Sequence, residues 1–244
     1  QPRTLPPETW AAADAYYIKE GGWQLSPGTP ESWNVCFGPL TLQVRPAPGF
    51  KHIGLFPEQA PQWQWLLDHE INRDANPPKL LNLFGHTGAA TLAAAIAGFA
   101  VTHVDSSRPA ISQARHNQKL SDLGNAPIHW IHEDAPKFVE RELKRGNRYD
   151  AILLDPPAFG RGPKGQTWQI GRDLPGLLEE ICKLLSDRPR FIFLNLYAGE
   201  FSAATVKPLL LEAAIPNKTL HQGHFTLHAE NGPNLEMAEW LCLA

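Results

Sequence analysis

From Lys79 onward, short apolar runs alternate with longer stretches in which apolar residues return every three or four positions. KLLNLF (79–84), AVTHVD (100–105), IHWIHED (128–134), DAILLD (150–155) and RFIFLNL (190–196) read as strands. Their nearly continuous apolar character fits strands covered on both faces. AATLAAAIAG (89–98), RPAISQARHNQKLSDLG (108–124), APKFVERELKRG (135–146) and RDLPGLLEEICKLLSD (172–187) read as helices. Pro109 and Pro136 stand in first turns and Gly124 just past an end, as helix boundaries favour. AATVKPLLLEAA (203–214) predicts one more helix, and KTLHQGHFTLHA (218–229) with LEMAEWLCLA (235–244) a terminal antiparallel pair. Alternation of this kind predicts an α/β fold: a mostly parallel sheet of seven strands, one of them antiparallel.

Residues 1–78 follow another rhythm. Trp10, Tyr16, Tyr17, Trp23, Trp33, Phe37, Phe50, Trp63 and Trp65 are scattered among frequent prolines and glycines. Short runs such as WNVCFG and LTLQV are separated by turn-rich SPGTPES and RPAPG, which predicts a small β-rich lobe. PEQAPQWQWLLDHEI (57–71) then reads as a helix leading into the larger unit. The expected division is 1–78 for the lobe and its helix and 79–244 for the α/β domain.

The chain has 244 residues, 43% of them hydrophobic, and a formal net charge of −3. That supports a sizeable core and excludes a protein that grips polyanions over its whole surface. Any such contact must come from a local patch. Cys36, Cys182 and Cys242 lie far apart, which argues against disulfides or zinc and favours a reducing, cytoplasmic setting. No run is long enough for a membrane span, and the ten histidines lack helical ligand spacing, so no metal is expected. The first residue is Gln1 rather than Met, as in a trimmed or processed chain.

Three consecutive strands end in groups able to hold a ligand. The first runs into LNLFGHTGAAT (81–91), where Gly85 and Gly88 let backbone amides and a helix N-terminus approach a polar group. The turn lacks G-x-G-x-x-G, so an ordinary strand-to-helix turn is an equal reading. The second ends at Asp105, placed for a ribose's hydroxyls. The third ends at Glu133-Asp134, suited to an adenine amino group or, for Asp134, to capping the next helix. Together they point to an adenosine-type cofactor. The fourth strand ends in AILLDPPAFGRGPKG (151–165), where two prolines force a stiff corner outside the sheet.

LNLFGHTG, VTHVDSS, HEDAPKF and LLDPPAFGRG together resemble a class I S-adenosylmethionine-dependent methyltransferase. The similarity is to the branch of the 23S ribosomal RNA large-subunit methyltransferases K and I. With FKHIGLFPEQAPQWQWL (50–66) it spans about residues 50 to 200. Phe84 and His86 stand where most such enzymes carry glycine; the branch shares Phe at the first and has tyrosine at the second. The resemblance implies a Rossmann-like sheet and S-adenosylmethionine as cofactor. It implies that Phe84, Gly85, His86, Thr87 and Gly88 wrap the methionine part, Asp105 and Ser106 meet the ribose, and Asp134 with Ala135 the adenine. Asp155, Pro156, Pro157 and Phe159 would face the methyl group and its acceptor as the catalytic corner. Ala158 is extra relative to the Asp-Pro-Pro-aromatic of amino-methylating enzymes.

Methylation of cytosine at carbon 5 needs a thiolate that adds to the ring. In the resembling branch that cysteine follows the fifth strand; here Asn195 and Tyr197 stand there, and Cys182 reads as core. A nitrogen acceptor, which needs no covalent step, is therefore favoured, with RNA, ribosomal above all, as the implied substrate. Arg161, Lys164, Arg172 and Trp168 surround the corner and suit a phosphate-linked substrate with an extruded base, or a solvated loop. Lys137, Arg141, Lys144, Arg145 and Arg148, interleaved with Glu140 and Glu142, read as a salt-bridged helix face. A small-molecule or protein acceptor is the alternative, and a nicotinamide-dependent oxidoreductase a more distant one.

Overall fold

The computed structural model describes residues 12–46, 52–69, 76–162, 164–197, 201–212, 218–228 and 233–244. Trp10, Phe50 and the predicted helix end at 70–71 lie outside them. Two antiparallel hairpins come first, β1 (Ala15–Ile18) with β2 (Gly22–Leu25) and β3 (Trp33–Phe37) with β4 (Leu40–Val44). A 3-10 turn at Pro57–Gln59 opens into α1 (Ala60–Leu67). Then follow β5 (Lys79–Leu83), α2 (Ala89–Ala97), β6 (Ala100–Asp105), α3 (Arg108–Leu120), β7 (Ile128–His132), α4 (Ala135–Arg145) and β8 (Ala151–Leu154). The basic stretch expected to be a loop is instead a short ribbon, β9 (Phe159–Arg161) paired with β10 (Thr167–Gln169). The chain closes with α5 (Ile170–Lys183), β11 (Phe191–Leu196), α6 (Ala203–Glu212), β12 (Leu220–Leu227) and β13 (Leu235–Leu243).

Seven strands form one sheet in the order β12-β13-β11-β8-β5-β6-β7. β13 runs antiparallel to both neighbours, and every other adjacent pair is parallel. The chain builds outward from β5 to β7, then returns to lay β8 on β5's other side. The carboxyl ends of β5 and β8 therefore flank the point where the winding reverses, which is where open α/β sheets leave a crevice.

Central strands are covered on both faces, as their continuous apolar runs require: all four residues of β8 and all six of β11 are buried. One face packs Ile152, Leu154, Ile192 and Leu194 against α4 and α5 through Phe138, Leu174 and Leu178. The other packs Leu80, Leu153 and Phe193 against α2, and the same cluster takes in Leu40, Leu42, Trp63 and Leu66. The β3–β4 hairpin and α1 thus share a core with the sheet. β7 stops at His132, short of the predicted 134, because Asp134 turns out of the strand to accept the Lys137 N–H at 3.3 Å and cap α4.

Candidate active site

At the end of β5 the backbone enters the left-handed region three times in five residues, at Phe84 (φ 58°), His86 (φ 49°) and Gly88 (φ 88°). Phe and His rarely adopt that conformation, so their surroundings must hold it. The Gly85 N–H donates to the Val104 carbonyl at 3.1 Å, and the His86 N–H to Asp105 Oδ2 at 2.8 Å. Thr87 Oγ1 donates to the Gly54 carbonyl at 2.6 Å, and Asn117 Nδ2 to the Thr87 carbonyl at 2.9 Å. Gly85 lies on the His103 imidazole so closely that a Cβ would stand 2.4 Å from Cε1. His103 is fully buried with Nδ1 2.9 Å from Thr91 Oγ1, and burial lowers its pKa to about 3. Gly88, with no side chain to cap α2, leaves that helix's first amides facing a cavity.

The cavity opens between Phe84, His86, Gly88, Asp155, Asn195 and Phe56. His86 forms one wall with His52 and Phe56, ring centroids 5.5 and 5.4 Å away. Burial first, and the neighbouring His52 second, lower the His86 pKa to about 4. Asp105 holds two backbone amides, His86 on Oδ2 and Ser107 on Oδ1 at 2.7 Å. Burial raises its pKa despite those bonds. The Ser106 carbonyl meets His132 Nε2 at 3.0 Å. Asp134 spends Oδ1 on the cap, the bland role foreseen for it, while Ala135 is buried beside it.

Asp155 sits where β8 ends against β5, its N–H 3.3 Å from the Leu83 carbonyl. Burial raises its pKa to about 6, opposed by side-chain bonds from Gln59 and Asn195 and reinforced by the charges of Glu58 and Asp105. Gln59 Nε2 donates to Asp155 Oδ2 at 2.8 Å and to the Tyr197 hydroxyl at 3.0 Å. Gln62 Nε2 donates to Asn195 Oδ1 at 3.0 Å. The corner continues through buried Pro156 to Phe159, which is 73% exposed. Arg161 and Lys164 are exposed on the ribbon.

Trp168 requires a correction. Its ring is 4% exposed and packs in the main core, so it offers no face to a substrate. The period-2 alternation of β10 turns it inward, where its N–H finds the Pro157 carbonyl. Arg172 bonds both carboxylate oxygens of Asp173. Lys144 pairs with Glu140, Arg145 with Glu142 and Arg141 with Glu133, the salt-bridged arrangement. Cys182 faces the core, and burial pushes its thiol up to about 11. Among the described residues no group of three or more His, Cys, Asp or Glu side chains is placed to hold a metal ion, and no helix is long and apolar enough to cross a membrane.

The sequence reading missed Glu58, Gln59 and Gln62, buried at 4%, 6% and 2% exposure. No local signal in PEQAPQ could have found them, because their burial, which obliges the two glutamines to hold partners, exists only in the folded chain.

A reversal-point crevice, a glycine-bearing turn and acids at successive strand ends define a nucleotide-cofactor enzyme of the Rossmann-like methyltransferase type. No protein-family model matches the chain. The S-adenosylmethionine-dependent methyltransferase of Agrobacterium tumefaciens, a solved structure, is 36% identical, with a TM-score of 0.89 over 98% of this chain and 79% of that one. The chain belongs to the S-adenosylmethionine-dependent methyltransferases. A Streptococcus mutans structure shares the fold at 19% identity and a TM-score of 0.71, covering 91% of this chain and 57% of its own. The ribosomal RNA large subunit methyltransferase K/L of Shewanella frigidimarina is 33% identical over 154 residues, 60% of this chain and 20% of that protein. That of Hahella chejuensis is 34% identical over 142 residues, 57% of this chain and 18% of its own length. The chain thus spans about a fifth of the curated relatives it matches.

Proposed function

We propose that this methyltransferase acts in the cytoplasm on a base nitrogen of RNA, ribosomal RNA in the first place, with no covalent cysteine intermediate. The observation that carries the reading is the corner from Asp155 to Phe159, a half-buried carboxylate with a raised pKa followed by an open aromatic face. The names of the Shewanella and Hahella relatives support the RNA part. In this reading residues 79–244 form the catalytic domain, and residues 1–78 the lobe and lead-in helix.

S-adenosylmethionine supplies a sulfonium-borne methyl group, already electrophilic, so the chain's work is to hold, orient and exclude water. Phe84 to Gly88 would cradle the methionine part, its shape held by Gly85 seated on the His103 ring, where a Cβ has no room. Asp105 and Ser106 would hold the ribose, each oxygen of Asp105 keeping a lone pair beyond its amide. Ala135 and the free oxygen of Asp134 would meet the adenine. Asp155 would accept the acceptor's N–H and so direct the nitrogen lone pair at the methyl group, taking up the proton released on transfer. Phe159 would stack the base, while Arg161 and Lys164 meet phosphates.

The experiment is to incubate extract from cells lacking this gene with tritium-labelled methyl donor and the purified chain, then separate RNA, protein and small molecules. Nuclease-sensitive label that digests to a base methylated on nitrogen is the expected result. Label confined to protein or small molecules, or appearing as 5-methylcytosine, overturns the substrate.

A further inference from the structure

We infer that Trp168 is a positioning residue that ties the cofactor turn to the acceptor corner, so that filling the one orders the other. The inference rests on reading Asp155 to Phe159 as that corner. Three pieces of chain meet at this buried indole. Its N–H donates to the Pro157 carbonyl at 2.7 Å. Its ring lies against Phe84 in the turn, with centroids 5.0 Å apart and planes at 54°. Its backbone pairs with Gly160, one residue after Phe159, across the ribbon. Two residues on, the Ile170 N–H holds the Ala158 carbonyl at 3.0 Å. The stretch from Pro157 to Gly160 is therefore fastened to residues 168–170, and Trp168 carries the connection on to the turn.

The bond also decides which carbonyl the corner presents. Trp168 engages the Pro157 oxygen, whereas no protein donor among the described residues reaches the Pro156 oxygen next to Asp155. Phe84 needs outside support for its φ of 58°, and the indole is one wall of that support. A group settling against the turn fixes Phe84; ring contact and hydrogen bond then pass the restraint to the ribbon. Linkage makes the effect mutual. Indole suits the task because it is rigid and its buried N–H must find a partner. Phenylalanine would keep a ring against Phe84 but leave the Pro157 carbonyl without its donor.

The test needs no acceptor: amide exchange of the full chain, with and without S-adenosylhomocysteine. In the unaltered protein the compound should slow exchange of the ribbon amides, Phe159–Arg161 and Thr167–Gln169, by about tenfold. In Trp168→Phe that protection should vanish while affinity for the compound stays within about threefold. If the phenylalanine variant melts too early to compare, 3-benzothienylalanine at position 168 keeps the bicyclic shape and puts a sulfur, which cannot donate, in place of the N–H. A merely structural role would speed exchange across the sheet equally with and without the compound. Ribbon protection retained in full by both variants, or missing from the unaltered protein, overturns the inference; so does an affinity loss beyond about tenfold in the isostere. The RNA assignment fails or stands separately, in the labelling experiment.

Discussion

Replacing Asp155 by alanine is expected to lower methyl transfer by about 10²–10⁴-fold, or about 3–5 kcal/mol of barrier, the range for a positioned acid–base group. Gln59 and Asn195 each bond the carboxylate, so its remaining lone pairs are the ones free to receive an N–H. Asp155→Asn should sharpen the diagnosis. Because burial raises the Asp155 pKa to about 6, the ionised acceptor is lost as pH falls below that value. The unaltered rate should therefore drop on acidification with an inflection near pH 6. The asparagine variant, which never ionises, should show a low rate without that inflection. An alanine variant with full activity would mean that the acceptor is held elsewhere.

Gly85→Ala is expected to weaken S-adenosylmethionine binding by at least about tenfold and to destabilise the fold by about 1–3 kcal/mol, the usual cost of overpacking. The new methyl would stand 2.4 Å from His103 Cε1 and 2.5 Å from Nδ1. The imidazole has no easy retreat: it is fully buried, bound to Thr91 and faced by Trp130 at 4.7 Å. Thr91 is fixed in turn by Asn82 Nδ2 at 2.8 Å. The strain must therefore go into the turn, whose shape is the cradle. Calorimetric titration and a thermal melt measure both effects. Adding His103→Ala to Gly85→Ala removes the obstructing ring and should restore part of the affinity. Unchanged affinity in the single variant would mean that the turn does not hold the cofactor.

The sheet was legible because each of its central strands is buried on both faces and so announces itself as an unbroken apolar run. The Asp-Pro-Pro corner was legible for a related reason: two prolines after Leu154 leave the backbone one way to go. Periodicity could not reveal the ribbon, since β9 and β10 each hold three residues and Gly160 and Gly162 suggest a loop. Trp168 went astray with it. Its inward direction depends on the pairing of Gly160 with Trp168, which neighbouring charges in the sequence obscured. Gln59 and Gln62 were hidden by distance. Their partners Asp155 and Asn195 lie far along the chain, and only the folded sheet brings them to the lead-in segment. Asp134 shows the opposite case, where a local rule was enough: an acid just before Ala135-Pro136 caps the helix, as found.

Diffraction from crystals of the chain grown with S-adenosylhomocysteine reads the whole arrangement at once. The homocysteine part should lie against Phe84 to Gly88, the ribose hydroxyls on Asp105 and the sulfur turned toward Asp155 and Pro156. Electron density for the compound anywhere other than the carboxyl ends of β5, β6 and β8 would contradict the account.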